Sequence, residues 1–220
     1  MEKTNHTENI QDRPGMLLVF EGIDGTGKSS QIALAAEKLS GMGFDVVTTR
    51  EPTDGKFGQQ IRKLYTQRGT VSQKQELDLF MADRKEHVEQ VIAPGLKAGR
   101  IVLTDRYYFS TAAYQGASGN DPEKIIAENE KFAPTPDIVL LISVPVAVSL
   151  HRIQTLRGES LNDFEQESNL RKVDVIFDQL SARDYIQKID GTKSLDEVHE
   201  EIMRHVINAL GKKGLWNVAG

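Results

Sequence analysis

The eight residues Gly22-Ile23-Asp24-Gly25-Thr26-Gly27-Lys28-Ser29 fit the pattern GxxxxGK[ST]. They follow an apolar run at Met16 to Phe20 and lead into a segment with helical apolar spacing. A strand, a glycine-rich turn and a helix in that order constrain the fold more than any other feature of the chain. Glycines let the backbone N–H groups turn inward onto phosphate oxygens, and the helix N-terminus adds favourable partial charge. Lys28 is placed to neutralise β and γ phosphates, and Ser29 to offer a hydroxyl to Mg²⁺. The chain is therefore expected to bind a nucleoside triphosphate and to transfer its terminal phosphoryl group. An ordinary glycine-rich turn is the competing account, and the flanking strand and helix weigh against it.

Five short apolar runs rich in Val, Ile or Leu read as buried parallel strands: Met16 to Phe20, Asp45 to Thr49, Arg100 to Thr104, Asp137 to Val144 and Tyr185 to Ile189. Helical patterns fall between them at Ser29 to Leu39, Gly58 to Tyr65, Glu76 to Leu96, a Ser110 to Lys131 region, Val146 to Gln154, Gln166 to Leu180 and Leu195 to Leu210. This alternation predicts a three-layer α/β/α sandwich around a five-stranded parallel sheet. The 220 residues suffice for one well-filled core, so a single domain over 15–210 is expected, with tails at 1–14 and 211–220.

A formal charge of −5 argues against binding a nucleic-acid polymer, which needs a basic surface. No apolar run approaches the roughly 20 residues of a bilayer span, and the polar N-terminus lacks the apolar centre of a secretory signal. Zero cysteines exclude disulfides, thiolate zinc sites and thiol nucleophiles. A cytoplasmic setting is expected.

In sheets of this class, ligands bind outside the carboxyl ends of the strands. Three of those ends carry a carboxylate: Asp24, Glu51 and Asp105. Asp105 stands where an acid that binds Mg²⁺ or its water belongs, and Arg106 follows it, which suggests a second phosphate. Arg106, Ser110 and Tyr114 recur every four residues and share a face if the segment is helical. In Glu76 to Leu96, Arg84 falls on an apolar stripe four residues after Phe80. Spacing alone slightly favours an Arg84 that snorkels to solvent or pairs with Asp83, with Phe80 as core. The alternative stacks a flat base on Phe80 and binds it through Arg84.

The blocks Phe20-Glu21-Gly22-Ile23-Asp24-Gly25, Thr49-Arg50-Glu51-Pro52, Phe80-Met81-Ala82-Asp83-Arg84 and Asp105-Arg106-Tyr107-Tyr108-Phe109-Ser110, continuing through Ala113-Tyr114-Gln115-Gly116, together resemble thymidylate kinases. The likeness runs in order from about Leu17 to Leu210. It implies a P-loop NTP-hydrolase fold with a mobile lid at about 154–165, transfer of the γ-phosphoryl group of ATP to dTMP with Mg²⁺, and a homodimer.

By the same resemblance, Lys28, Asp24 and Arg106 serve catalysis, and Ser29 and Asp105 hold the metal. The phosphate loop from Gly22, Ile23, Asp24, Gly25, Thr26 and Gly27 to Lys28, Ser29 and Ser30 holds ATP, and Arg152, Gly191 and Thr192 lie against adenine. Asp24 and Glu51 approach the sugar 3′-hydroxyl and metal-bound waters. Arg62 and Arg106 hold the acceptor phosphate, Phe80 stacks on thymine, and Arg84 donates to a base carbonyl with Ser110 and Gln115 nearby. Tyr114 crowds the 2′ position.

Two departures from the family pattern stand out. Thr53-Asp54-Gly55-Lys56 follows Glu51-Pro52 where many bacterial members continue with two glycines, which leaves acceptor selectivity open. The phosphate loop has Gly25-Thr26 and no arginine, which in this family goes with arginines donated by the lid. Here Asn162-Asp163 stands for the frequent Asp-Arg pair and Val173-Asp174 for Val-Arg, so Arg157 is taken as the lid cation. A kinase for another deoxynucleotide or a nucleoside, and a nucleotide-binding module without turnover, are the competing functions.

Overall fold

The computed structural model describes residues 14–157 and 161–216. The N-terminal tail expected at 1–14 lies outside the described residues up to residue 13, and so does the middle of the expected lid. Five strands, β1 (Met16–Glu21), β2 (Val46–Arg50), β3 (Ile101–Asp105), β4 (Ile138–Ser143) and β5 (Ile186–Asp190), form one all-parallel sheet. Its order is β2-β3-β1-β4-β5, so every connection is a crossover and the phosphate loop leaves the central strand.

Nine α-helices are described around the sheet: α1 (Lys28–Gly41), α2 (Lys56–Lys63), α3 (Gln73–His87), α4 (Ala93–Lys97), α5 (Tyr108–Ala117), α6 (Pro122–Glu130), α7 (Val146–Arg152), α8 (Glu167–Leu180) and α9 (Leu195–Lys212). β1 is buried throughout, and its side chains alternate between two cores. Leu17 and Val19 face α5, α6 and α8, where Tyr108, Phe109, Leu170 and Phe177 pack. Met16, Leu18 and Phe20 face α1 and α9, where Leu39, Ile202 and Val206 pack. The period-two alternation of a strand thus fills both outer layers from one sheet.

Three expected helices differ in detail. The Glu76 to Leu96 pattern is realised as α3 and α4 joined by a π-helical turn, Val88–Ile92. Pro94 has no N–H to donate and its ring crowds the preceding turn, so the wider turn absorbs the mismatch. The Ser110 to Lys131 region divides into α5 and α6, because Gly119 takes a left-handed φ of 101° and Asp121 caps a new helix that begins at Pro122. A second π-helical turn, Ile153–Arg157, continues α7 past the expected Gln154.

The segment expected as a tail from Gly211 departs from that reading over its first residues. α9 continues to Lys212, Leu215 and Trp216 pack against the α1/α9 core, and the Trp216 ring lies 6.1 Å from that of Phe44. Lys213 forms an ion pair with Asp137, whose other oxygen accepts the Leu17 N–H at 2.8 Å.

Because Ile202 is fully buried between α9 and the sheet, Ile202→Ala is expected to lower stability by about 2–5 kcal/mol through lost burial and a residual cavity. Urea unfolding checks this, with the midpoint falling at an unchanged m-value.

Candidate active site

The phosphate loop begins where β1 ends, and Gly22, Gly25 and Gly27 all take positive φ. A Cβ at Gly22 would lie 2.3 Å from the Ile142 carbonyl oxygen, and one at Gly25 2.6 Å from that of Ser149. Close packing against β4 and α7 therefore requires glycine at both. Lys28 is buried, and its Nζ donates to the carbonyl oxygens of Gly22 and Ile23 at 3.0 and 2.9 Å. Burial and the nearby Arg106 hold its ammonium below the usual lysine range. Ser29 Oγ donates to Asp105 Oδ2 at 2.7 Å, which unites the hydroxyl and the acid read from the sequence as a metal pair.

Arg106 is the one non-glycine residue among those described with a positive φ, 71°. Its guanidinium pairs with Asp24 at 2.9 Å, donates to Ser110 Oγ at 2.9 Å and to the Gly22 carbonyl at 3.2 Å, and lies 5.3 Å from the Tyr114 ring centroid. The Arg106, Ser110 and Tyr114 face is real, although α5 begins only at Tyr108. Burial disfavours the charged guanidinium, but Asp24, Tyr114, Asp105 and Glu21 together outweigh it and keep Arg106 firmly ionised.

Sequence reasoning passed over the residue that anchors this turn. Glu21 is fully buried at the end of β1 and accepts the Tyr107 N–H at 2.8 Å, the Ser110 N–H at 3.1 Å and the Ser110 hydroxyl. Burial pushes its carboxyl up to about 7, against the opposing pull of Ser110 and Arg106. Its position next to the phosphate loop was the available signal.

Beside the loop lies a recess of about 170 Å³, lined among others by Phe80, Arg84, Ser110, Thr111, Tyr114 and Phe164. Arg84 neither snorkels nor pairs with Asp83. It is 1% exposed and donates to Glu51 Oε2, to Asn129 Oδ1 at 2.9 Å and to Thr111 Oγ1 at 3.0 Å. Asp83 instead accepts from Thr53, through N at 3.0 Å and Oγ1 at 2.6 Å. His87 lies with Nδ1 2.9 Å from Glu51 Oε1 and Nε2 2.7 Å from Thr49 Oγ1. Burial alone would raise the Glu51 carboxyl, but Arg84 and His87 together hold it below its ordinary value. Phe80 is half-buried and lines the recess rather than closing the core.

Gln115 is not among the recess lining. It is fully buried and donates to Glu76 Oε1 at 2.8 Å, one layer behind. Thr111, Tyr65 and Phe164 line the recess and were not singled out from the sequence. Thr111 and Tyr65 sit in helical or turn positions with no distinguishing pattern, and Phe164 fell within the expected lid.

A wider groove joins the recess to the phosphate loop. Lys28, Ser29, Ser30, Arg62, Arg106 and Arg152 line it, and Asp24, Glu51, Pro52, Tyr65 and Arg106 border both spaces. Arg62 donates to the Pro52 carbonyl at 3.1 Å and pairs with Asp54 at 3.1 Å. Arg152 reaches the groove and donates to the Gly191 carbonyl at 3.1 Å, so these two are together as expected. Thr192 turns back to Asp190, through N at 3.0 Å and Oγ1 at 2.6 Å. The Arg157 side chain lies outside the described residues.

Ser29 and Asp105 supply hard oxygen donors side by side, which suits Mg²⁺, an ion that keeps several waters and takes much of its coordination from phosphates. Among the described residues no group of three or more His, Cys, Asp or Glu is placed to hold a metal ion by itself. No described helix is long and apolar enough to cross a membrane.

A family model described as thymidylate kinase matches residues 20–202. A thymidylate kinase of Desulfotalea psychrophila is 50% identical over 197 residues, spanning 90% of this chain and 96% of the relative. One of Akkermansia muciniphila is 44% identical over 193 residues, spanning 88% and 92%. A probable thymidylate kinase of Thermococcus kodakarensis is 39% identical over 212 residues, spanning 90% and 100%. The matched stretch takes in the phosphate loop, the recess with its buried arginine and the groove that joins them, and the chain belongs to the thymidylate kinase family.

Proposed function

We propose that the chain phosphorylates dTMP to dTDP, taking the phosphoryl group from ATP with Mg²⁺. The observation that carries this reading is the continuity of the base-sized recess with the phosphate groove through Asp24, Glu51, Pro52, Tyr65 and Arg106. A nucleoside monophosphate with its base beside Phe80 and Arg84 extends its phosphate toward Arg106 and Arg62. Arg84 Nε is buried with no acceptor among the described residues, and a buried donor left unsatisfied is costly. A thymine carbonyl is a suitable acceptor. Tyr114, whose hydroxyl donates to Asp24 Oδ2 at 3.3 Å, is held against the sugar side and disfavours a 2′-hydroxyl.

Catalysis of this transfer is alignment and charge neutralisation. The acceptor is a phosphate oxygen that is largely ionised at neutral pH, since a phosphomonoester has its second pKa near about 6. No general base is required. Arg106, fixed by Asp24, Ser110 and the Gly22 carbonyl, lies where donor and acceptor phosphates meet, and Lys28 serves the donor side. Ser29 and Asp105 are the residues that would hold Mg²⁺, which would offset the charge of the donor phosphates. Arg157 is the proposed lid cation. A homodimer accompanies this reading on the strength of the family resemblance.

In a coupled ADP-release assay with ATP and Mg²⁺, dTMP is expected to be turned over in preference to dUMP, dCMP, dGMP and UMP. Preference for another monophosphate would move the assignment of the recess, and silence with all five would favour a binding module. Arg157→Ala is expected to lower kcat on the order of 10³-fold, as loss of an arginine finger does. Its dTMP affinity, measured by calorimetry, should stay at the parent value. Unchanged turnover would remove Arg157 from the reaction.

A further inference from the structure

Beside the acceptor recess, outside the phosphate groove, lies a buried polar cluster that the reaction as derived does not use. Arg68 lies between α2 and α3 and forms a fork with the nearly buried Glu76, with Nε 2.9 Å from Oε2 and Nη2 2.8 Å from Oε1. Nη2 also donates to Ser118 Oγ at 2.9 Å, and Gln115 donates to the same Glu76 oxygen at 2.8 Å. The other side of the guanidinium problem is aromatic: its carbon lies 4.1 Å from the Phe164 ring centroid.

Phe164 sits near the C-terminal end of the expected lid, three residues before α8 begins. Its ring makes edge contacts with Tyr65 at 5.8 Å, Tyr114 at 6.3 Å and Phe80 at 6.4 Å. Phe80 and Tyr114 are the residues assigned above to the base and sugar. The same segment is fastened by main-chain bonds, because Asp163 N–H donates to the Tyr65 carbonyl at 2.8 Å and Asp163 Oδ2 accepts the Arg68 N–H at 3.1 Å. Asp163 stands where the family often has the arginine of an Asp-Arg pair, and here it ties this segment to Arg68.

We infer that Arg68 is a positioning residue for the acceptor: held by Glu76, it docks Phe164 as a wall of the base recess and so joins recess geometry to the C-terminal end of the expected lid. A guanidinium over an aromatic face, fixed by a near-buried carboxylate, is stronger and better oriented than a surface contact. Because Phe164 touches both Phe80 and Tyr114, its loss is felt by base and sugar together. The inference rests on the reading of the recess as the nucleoside monophosphate site.

The test compares the full-length parent with Arg68→Ala, Arg68→Lys, Phe164→Leu and the Arg68→Ala/Phe164→Leu double variant. KM is measured for dTMP and separately for ATP, together with kcat, melting temperature and calorimetric dTMP binding. Arg68→Ala is expected to raise KM for dTMP about 10-fold, with a smaller loss in kcat and KM for ATP within about 2-fold of the parent. Arg68→Lys, which keeps the cation but not the fork, should fall between the two. Phe164→Leu should match Arg68→Ala, and the double variant should be little worse than either, since both remove one contact. An unchanged KM for dTMP in folded Arg68→Ala and Phe164→Leu proteins would overturn the inference. So would additive losses, or parallel rises in both KM values with a lowered melting temperature, which mark a general structural role. If the parent itself bound no dTMP, the reading of the recess would fail first, and this inference with it.

Discussion

The recess side of the molecule is organised by one desolvated cation. Arg84 is 1% exposed, and a guanidinium taken from water persists only with a counter-charge and hydrogen-bond acceptors around it. Those partners come from separate elements: Glu51 after β2, Thr111 on α5 and Asn129 on α6. Satisfying Arg84 therefore fixes the end of β2 against three helices and sets the width of the recess. Glu51 is fixed in turn by His87, itself hydrogen-bonded to Thr49 in β2. Removing any member leaves an uncompensated buried group, so the network costs far more to break than its net contribution to stability suggests.

The phosphate side follows a different logic. Lys28 and Arg106 are near enough that each disfavours the other's charge, and burial weakens the lysine further. Arg106 stays ionised because Asp24 sits against it, and its left-handed backbone is held by Glu21 gripping the two amides that follow in the turn and helix. A non-glycine residue at this φ stores local strain, which persists only where the surroundings over-determine it. The strain aims the Arg106 side chain back across the phosphate loop to Gly22 and Asp24, between the two ligand spaces. Two cations in a low-dielectric groove make a site whose natural complement is polyphosphate.

How much of this could be read beforehand depended on how local the signal was. The five strands and the phosphate loop were legible because each is a short contiguous pattern, buried apolar runs for the strands and fixed glycines for the loop. The Arg106, Ser110 and Tyr114 face was legible from helical spacing. Arg84 was misjudged by spacing alone, because its partners Glu51 and Asn129 lie 33 and 45 residues away and nothing in a helical repeat announces them. Gln115 illustrates the converse: it lies next to Tyr114 in sequence, but one step along a helix turns a side chain by about 100°, which sends it behind the recess to Glu76. Glu21 and Phe164 were missed for the same reason, since their importance lies in which distant groups they touch.

The unusual Thr53-Asp54-Gly55-Lys56 loop shows how a departure in sequence can preserve the arrangement it appears to threaten. Thr53 is bound through both its N–H and hydroxyl to Asp83, the residue immediately before Arg84, so this loop and α3 are joined directly. A Cβ at Gly58 would lie 1.9 Å from the Thr53 carbonyl oxygen, which explains why α2 needs glycine where it passes beneath the loop. Asp54 spans Arg50 and Arg62 at 3.0 and 3.1 Å. With Asp54 77% exposed these pairs are screened and contribute little to stability. Their consequence is orientation: together with the Pro52 carbonyl, Asp54 fixes two nitrogens of Arg62 on the groove side of α2, where the acceptor phosphate is proposed to arrive. In a loop with two glycines the backbone alone would have to set that geometry; here side chains set it, and the buried Asp83 beside Arg84 couples it to the same network that shapes the recess.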